Sequence, residues 1–113
     1  MPQYTLLMYQ PVDREQDPAD FADEHKRWNA FHQELVDAGA LVSNKGLAGT
    51  DTATTVRVRD GETHITDGPF AETKEYLAGY YLIEVDSLDA ALAYAARIPS
   101  AEYGSVEVRP GWG

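Results

Sequence analysis

Three histidines, His25, His32 and His64, are the side chains of this 113-residue chain that change charge near neutral pH. At about 100° per helical residue, positions 25, 28 and 32 fall close together, so His25 and His32 flank Trp28 on an apolar stripe predicted to face a sheet. A histidine so placed is either held by a backbone or tyrosine partner, or works as a base in a cleft, tuned by a carboxylate. Two helical turns, about 10 Å along the axis, separate the pair. Helical metal pairs use closer spacing, as in H-E-x-x-H, so no metal site is expected. His64 falls on a strand, looking into the second face of the sheet or simply into solvent.

The run Thr66-Asp67-Gly68-Pro69-Phe70-Ala71-Glu72-Thr73-Lys74-Glu75 places several charges beside a rigid turn. Asp67 either caps its own turn or is a preorganised base, acting directly or by orienting a histidine. With His25 or His32 it would support elimination or isomerisation without a redox cofactor, and no cofactor is expected. Tyr80 offers a hydroxyl or a stacking face, Arg57 or Arg109 an anchor for an anionic substrate, and Glu72 and Lys74 further ligand contacts. There is no G-x-S-x-G elbow, phosphate loop or dinucleotide glycine pattern.

Composition narrows the classes. Nineteen acidic against nine basic residues give a formal charge of −10, which opposes nucleic-acid and anionic-membrane partners. The absence of cysteine excludes disulfides, thiolate catalysis and thiolate metal sites. The start, Met1-Pro2-Gln3-Tyr4, lacks the basic stretch of a secretory signal, and no apolar run reaches the roughly 20 residues of a membrane span, so a cytoplasmic location is expected. One domain over 1–113 accounts for the length.

The elements that must position these groups are legible as patterns. Tyr4–Tyr9 is an almost continuous apolar run, predicted as a strand covered on both faces. Pro18–Ala38 reads as a helix, with Asp17 as cap, Pro18 at the first position, an inward stripe of Phe21, Trp28, Phe31, Leu35 and Val36, and Gly39 closing it. Leu41–Leu47 reads as a strand and Gly49–Ala53 as a turn. Thr54–Arg59 and Glu62–Thr66 form a hairpin about Asp60-Gly61. Asp67–Ala78 turns at Gly68-Pro69 and is either extended or helical beyond. Gly79–Val85 is a strand, Leu88–Arg97 a helix capped by Ser87 with Leu88, Ala91, Leu92 and Ala95 inward, and Ser105–Arg109 a last strand. Two strand-helix-strand halves around a hairpin predict an α+β fold, a ferredoxin-like subunit with helices on one face of a mixed or antiparallel sheet.

Such a sheet has a second face. With Val56, Val58, Ile65, Tyr81, Ile83, Val85, Val106 and Val108 toward the helices, the other face carries Arg57, His64, Tyr80, Leu82, Glu84, Glu107 and Arg109. That face is too apolar for bare solvent and too charged for a core. It predicts either a homodimer with stacked faces around a partly polar cavity, or a monomer with a mottled surface.

The Thr66–Glu75 run, followed by Gly79-Tyr80, resembles the YCII-related family, in particular its DGPF-domain branch. Thr52–Arg57, Val106–Pro110 and Tyr4–Tyr9 extend the similarity over nearly the whole chain. The resemblance implies a dimeric α/β-barrel of ferredoxin-like subunits, and a histidine and aspartate in a pocket as active site, with Asp67 as the aspartate. This chain has Tyr9-Gln10-Pro11 where the histidine of the wider family tends to lie, so His25 or His32 would substitute, and Lys45 stands where an acid is common. Relatives are often encoded beside extracytoplasmic-function sigma factors. The resemblance therefore implies either an acid-base enzyme on a small organic molecule or a non-catalytic sensing module linked to such a factor.

Overall fold

The structure, a computed structural model, describes residues 1–14 and 18–112. In chain order the elements are β1 (Gln3–Pro11), α1 (Pro18–Asp37), β2 (Leu41–Gly46), β3 (Thr54–Arg59), β4 (Glu62–Asp67), β5 (Glu75–Glu84), α2 (Leu88–Ala95) and β6 (Ser105–Pro110). Short 3-10 turns at Thr50–Thr52 and Pro99–Glu102 complete it. The fold is α+β, with antiparallel sheets and two helices among the described residues. The predicted cap, Asp17, lies outside them.

The main sheet has four strands in the order β2-β5-β1-β6. β1 is therefore central, paired antiparallel with β5 on one side and β6 on the other. Its alternate residues Tyr4, Leu6 and Met8 are buried under the helices, while Thr5, Leu7 and Tyr9 on the opposite face are half-buried. The pairing slips after Met8, which faces Gly79 whereas Tyr9 faces Leu77. Ala78 is the extra residue of this bulge, and beyond it Gln10 keeps the helix-facing side of β1.

The core joins Leu6, Met8 and Ile83 of the sheet to Phe31 and Leu35 of α1 and to Ala91 and Ala95 of α2. Tyr81 is its aromatic centre, stacked on Trp28 at 6.4 Å between ring centroids and met edge-on by Phe31 at 5.4 Å. The inward stripe of α1 is narrower than its spacing suggested, because Phe21 and Val36 lie at its exposed margins. On α2 only Ala91 and Ala95 are buried, and Leu88 and Leu92 face outward. The helix packs close to the sheet, where a methyl fits and a leucine does not. Ser87 does cap α2, its Oγ accepting from the Ala90 N–H at 3.1 Å.

The largest departure from expectation is the hairpin. β3 and β4 form a separate two-stranded ribbon and take no place in the main sheet. Its turn is the expected one, with positive φ at both Asp60 (52°) and Gly61 (77°). But Val56, Val58 and Ile65 do not face the helices, and Arg57 and His64 do not line the second face of the main sheet. The hairpin leaves that plane where Gly68 turns the chain at φ 99°, a conformation that a Cβ would strain. Part of the ambiguous Asp67–Ala78 segment is strand, since β5 begins at Glu75.

Candidate functional site

A cleft opens between the start of α1 and the sheet. It has two adjoining compartments of about 230 and 270 Å³, both walled by Gln10 and Trp28. β1 delivers Gln10 and α1 delivers Trp28, so the wall is fixed by the helix-on-sheet packing.

The first compartment is built around Glu24. One oxygen of its carboxylate accepts from the Tyr103 hydroxyl at 2.5 Å and from Trp28 Nε1 at 3.3 Å, and the other from Arg14 Nη2 at 2.8 Å. The Arg14 guanidinium lies over the Tyr103 ring, 3.3 Å from its centroid. The Glu24 side chain is only 13% exposed. Burial alone would raise its pKa, but the hydrogen bonds from Arg14, Tyr103 and Trp28 and the charge of Arg14 prevail and hold it below the usual carboxylate range. Burial, and then the bond to the Glu24 carboxylate, push the Tyr103 hydroxyl well above its ordinary value. Glu24 is therefore a fixed, ionised acceptor, the opposite of a carboxylate poised as a general base.

The second compartment is lined by Gln10, Asn44, Lys45, Tyr80 and Tyr81 among others. Lys45, a cation lining this compartment, makes no ion pair with another described residue. The Gln10 side-chain oxygen accepts from Tyr76 at 3.4 Å, which leaves its amide N–H groups as donors. Gly79 lets β2 and β5 approach here. A Cβ on it would lie 2.7 Å from the Lys45 carbonyl oxygen and 3.0 Å from the end of Met8.

Of the two α1 histidines, His25 borders the cleft and His32 lines neither compartment. His25 is exposed and sits at the mouth of the first compartment, beside Arg14 and Trp28. His32 is half-buried, its ring 6.3 Å from that of Tyr81. Among the described residues no three histidine, aspartate or glutamate side chains cluster as a metal site requires.

A profile of the YCII-related domain matches residues 3–112. The chain belongs to the YCII-related family. It is also similar to an uncharacterized protein, R00369, of Rhizobium meliloti (strain 1021), with 48% identity over 84 residues that span 73% of this chain and 68% of that relative. Family membership fixes no reaction for this YCII-related domain.

The Asp67 segment lies at the base of the hairpin. Asp67 is the exposed last residue of β4, opposite Thr54, and its carboxylate bonds to no other described side chain. It lines neither compartment of the cleft, so one protomer of this YCII-related domain does not bring Asp67 together with His25 or His32 in a shared cavity. The loop after it borders two hollows of about 430 and 440 Å³, one including Glu72 and Tyr76, the other Phe70, Tyr9 and Leu77. Tyr76, through its bond to Gln10, links this region to the cleft. Arg57 donates from Nη2 to the Phe70 carbonyl at 3.1 Å, and Arg109 is paired with Glu107 on its own strand. The Lys74 carbonyl accepts from the Val12 N–H at 3.0 Å, and Tyr80 lines the second compartment.

The groups that sequence reasoning missed are Arg14, Glu24, Lys45 and Tyr103 as cleft residues. For Glu24 a signal existed: positions 24, 28, 31 and 35 share one helical face, so an acid stood on the buried stripe. Arg14 and Tyr103 come from loops 10 and 79 residues away from it in sequence, which no local pattern connects.

Proposed function

We propose that this chain is one subunit of a homodimer that binds a small organic molecule carrying a carboxylate or carbonyl oxygen in the cleft between α1 and the sheet. The observation that carries this reading is the second compartment. It combines Lys45, a cation that makes no ion pair with another described residue, the amide donors of Gln10 and the aromatic walls Trp28, Tyr80 and Tyr81. Such a set binds an oxygen anion on a flat organic body.

The subunit order supports the dimer. Without the hairpin, strands in chain order β1, β2, β5, β6 lie as β2-β5-β1-β6, and the core joins them to both helices, an order that supports reading the subunit as ferredoxin-like. Its other face, with Leu7, Tyr9 and Leu82 only half-buried, suits a second sheet in a dimeric α/β-barrel. In that assembly Asp67 and an α1 histidine could meet only across subunits, and acid-base chemistry such as elimination or isomerisation is proposed on that condition. The saturated, acid-shifted Glu24 favours a second reading, binding without turnover, as a sensing module linked to a sigma factor would use.

The test uses Trp28 as reporter. The chain has two tryptophans, and Trp112 is fully exposed, so Trp112→Phe leaves Trp28 alone. Titration with a panel of simple carboxylates and keto acids is expected to give a saturable change in its fluorescence, lost in Lys45→Met. A response that survives Lys45→Met refutes the anchor. Product formation from a binding compound, lost in Asp67→Asn with binding intact, selects the enzyme, whereas binding with no turnover selects the sensor.

A further inference from the structure

The β3–β4 ribbon divides its side chains by face. In its register Val56 pairs with Ile65 and Val58 with Thr63, so these four share one side, while Arg57 with His64 and Arg59 with Glu62 share the other. This is the alternation of a half-buried ribbon. Yet Val56, Val58 and Ile65 are 59, 58 and 69% exposed, and β3 and β4 pack chiefly on each other. A two-stranded hairpin in water is at best marginally stable, and a flat apolar strand face left bare invites association.

The ribbon is nonetheless held in one direction. Its base is fixed by the Gly68 N–H donating to the Ala53 carbonyl at 2.7 Å, by Thr55 Oγ1 donating to the Gly68 carbonyl at 2.7 Å, and by the Arg57 bond to Phe70. An arm so anchored presents its apolar face with little ordering cost.

The whole chain shows the same unfinished burial. It exposes 7821 Å² at 12.5 kDa, where surface scaling gives about 6,200 Å² for a compact monomer of that mass. The excess of about 1,600 Å² exceeds the roughly 800 Å² that each partner contributes to a standard interface. The radius of gyration, 16.2 Å, likewise exceeds the roughly 13 Å of a compact chain of this length. A net charge of −10 repels anionic lipid and nucleic acid, and the outer part of the arm's apolar face, from Val56 and Ile65 to Val58 and Thr63, carries no charge, with Asp67 on the same side only at the base. Every copy carries the same excess surface, so a two-fold pairing covers both arms at once.

We propose that the β3–β4 ribbon is an exchange arm whose Val56, Val58 and Ile65 face is buried by a second copy of this chain. The inference rests on the homodimer proposed above and adds to it that the arm, beyond any stacking of sheet faces, holds the two copies together. The arm ends at Asp67, so docking it on the partner also sets where that carboxylate lies in the assembly.

Sedimentation velocity over a dilution series tests this, with wild type, the double variant Val58→Glu/Ile65→Glu, and Leu82→Glu on the open face of the main sheet. The arm positions are exposed within the protomer, so each subunit folds, as near-ultraviolet circular dichroism would verify. The expected result is a wild-type dimer whose dissociation constant rises by at least about a hundredfold in the arm variant, since each substitution acts twice. An arm variant that stays as tightly dimeric as wild type, while Leu82→Glu dissociates, overturns the arm and leaves face stacking intact. Dissociation by the arm variant alone keeps the arm and removes face stacking. A monomeric wild type at every concentration removes both. As an independent readout, Ile65→Cys in this cysteine-free chain is expected to react with a thiol reagent more slowly as protein concentration rises. A rate independent of concentration across a wild-type dimerisation range overturns the arm.

Discussion

Glu24→Gln is the perturbation that probes the cleft most directly. The substitution keeps the shape of the side chain and the acceptor oxygen for Tyr103, but it removes the charge that faces Arg14 and turns an amide N–H₂ toward that guanidinium. Hydrogen bonds to charged groups contribute about 1.5–3 kcal/mol each, and removing one partner of a buried pair costs about 3–5 kcal/mol. With the Glu24 side chain 13% exposed and that of Arg14 23% exposed, a loss near the lower bound, about 3 kcal/mol, is expected at neutral pH. For a domain of this size that lowers Tm by about 12 °C. The pH dependence supplies the sharper check. The folded-state pKa of Glu24 lies below its ordinary value of 4.5, so its contribution is fully present above that value and is lost as pH falls through the folded pKa. Wild type and variant should therefore differ most at neutral pH and converge in acid, as pH falls through the lowered pKa of Glu24. On the alkaline side the raised pKa of Tyr103 stabilises the fold below its ordinary value of 10.0, and that contribution fades as pH rises above it. Thermal unfolding followed by circular dichroism at fixed protein concentration measures all of this. A variant within about 0.5 kcal/mol of wild type at pH 7, or a difference that stays constant into acid, refutes the assignment of Glu24 as the ionised centre of the network.

Two further outcomes test the framework around the site. Gly79→Ala should cost about 1–3 kcal/mol in urea unfolding, because its Cβ would meet the Lys45 carbonyl and β2 or β5 must move, and the same shift should weaken any ligand response that depends on Lys45. Ser100→Ala should leave stability unchanged or raise it by up to about 1 kcal/mol, since the Ser100 hydroxyl is fully buried and has no hydrogen-bond partner among the described residues. A clear loss of stability there would reveal a partner for that hydroxyl.

The sequence by itself determined which segments become helix and strand, because those choices are local. Continuous apolarity in Tyr4–Tyr9, the 28-31-35 stripe of α1, the Ser87 cap and the Asp60-Gly61 turn each act over a few residues, and each element stands where its pattern put it. The α+β class followed from their order. The tertiary structure decided which strands share a sheet. Alternation in β3 and β4 announces a ribbon with one apolar face, but nothing local states whether that face meets its own helices, and the turn at Gly68 sends it elsewhere. It also decided the depth of each side chain: Leu88 and Leu92 fit the stripe of α2 by spacing, yet only Ala91 and Ala95 fit against the sheet. The site divides in the same way. Tyr80 was visible as a residue type on a strand, whereas the Arg14–Glu24–Tyr103 network joins a loop, a helix and a second loop from distant parts of the chain. A hydrogen-bond network of this kind is a property of three-dimensional proximity, and only the packing of α1 on the sheet creates it.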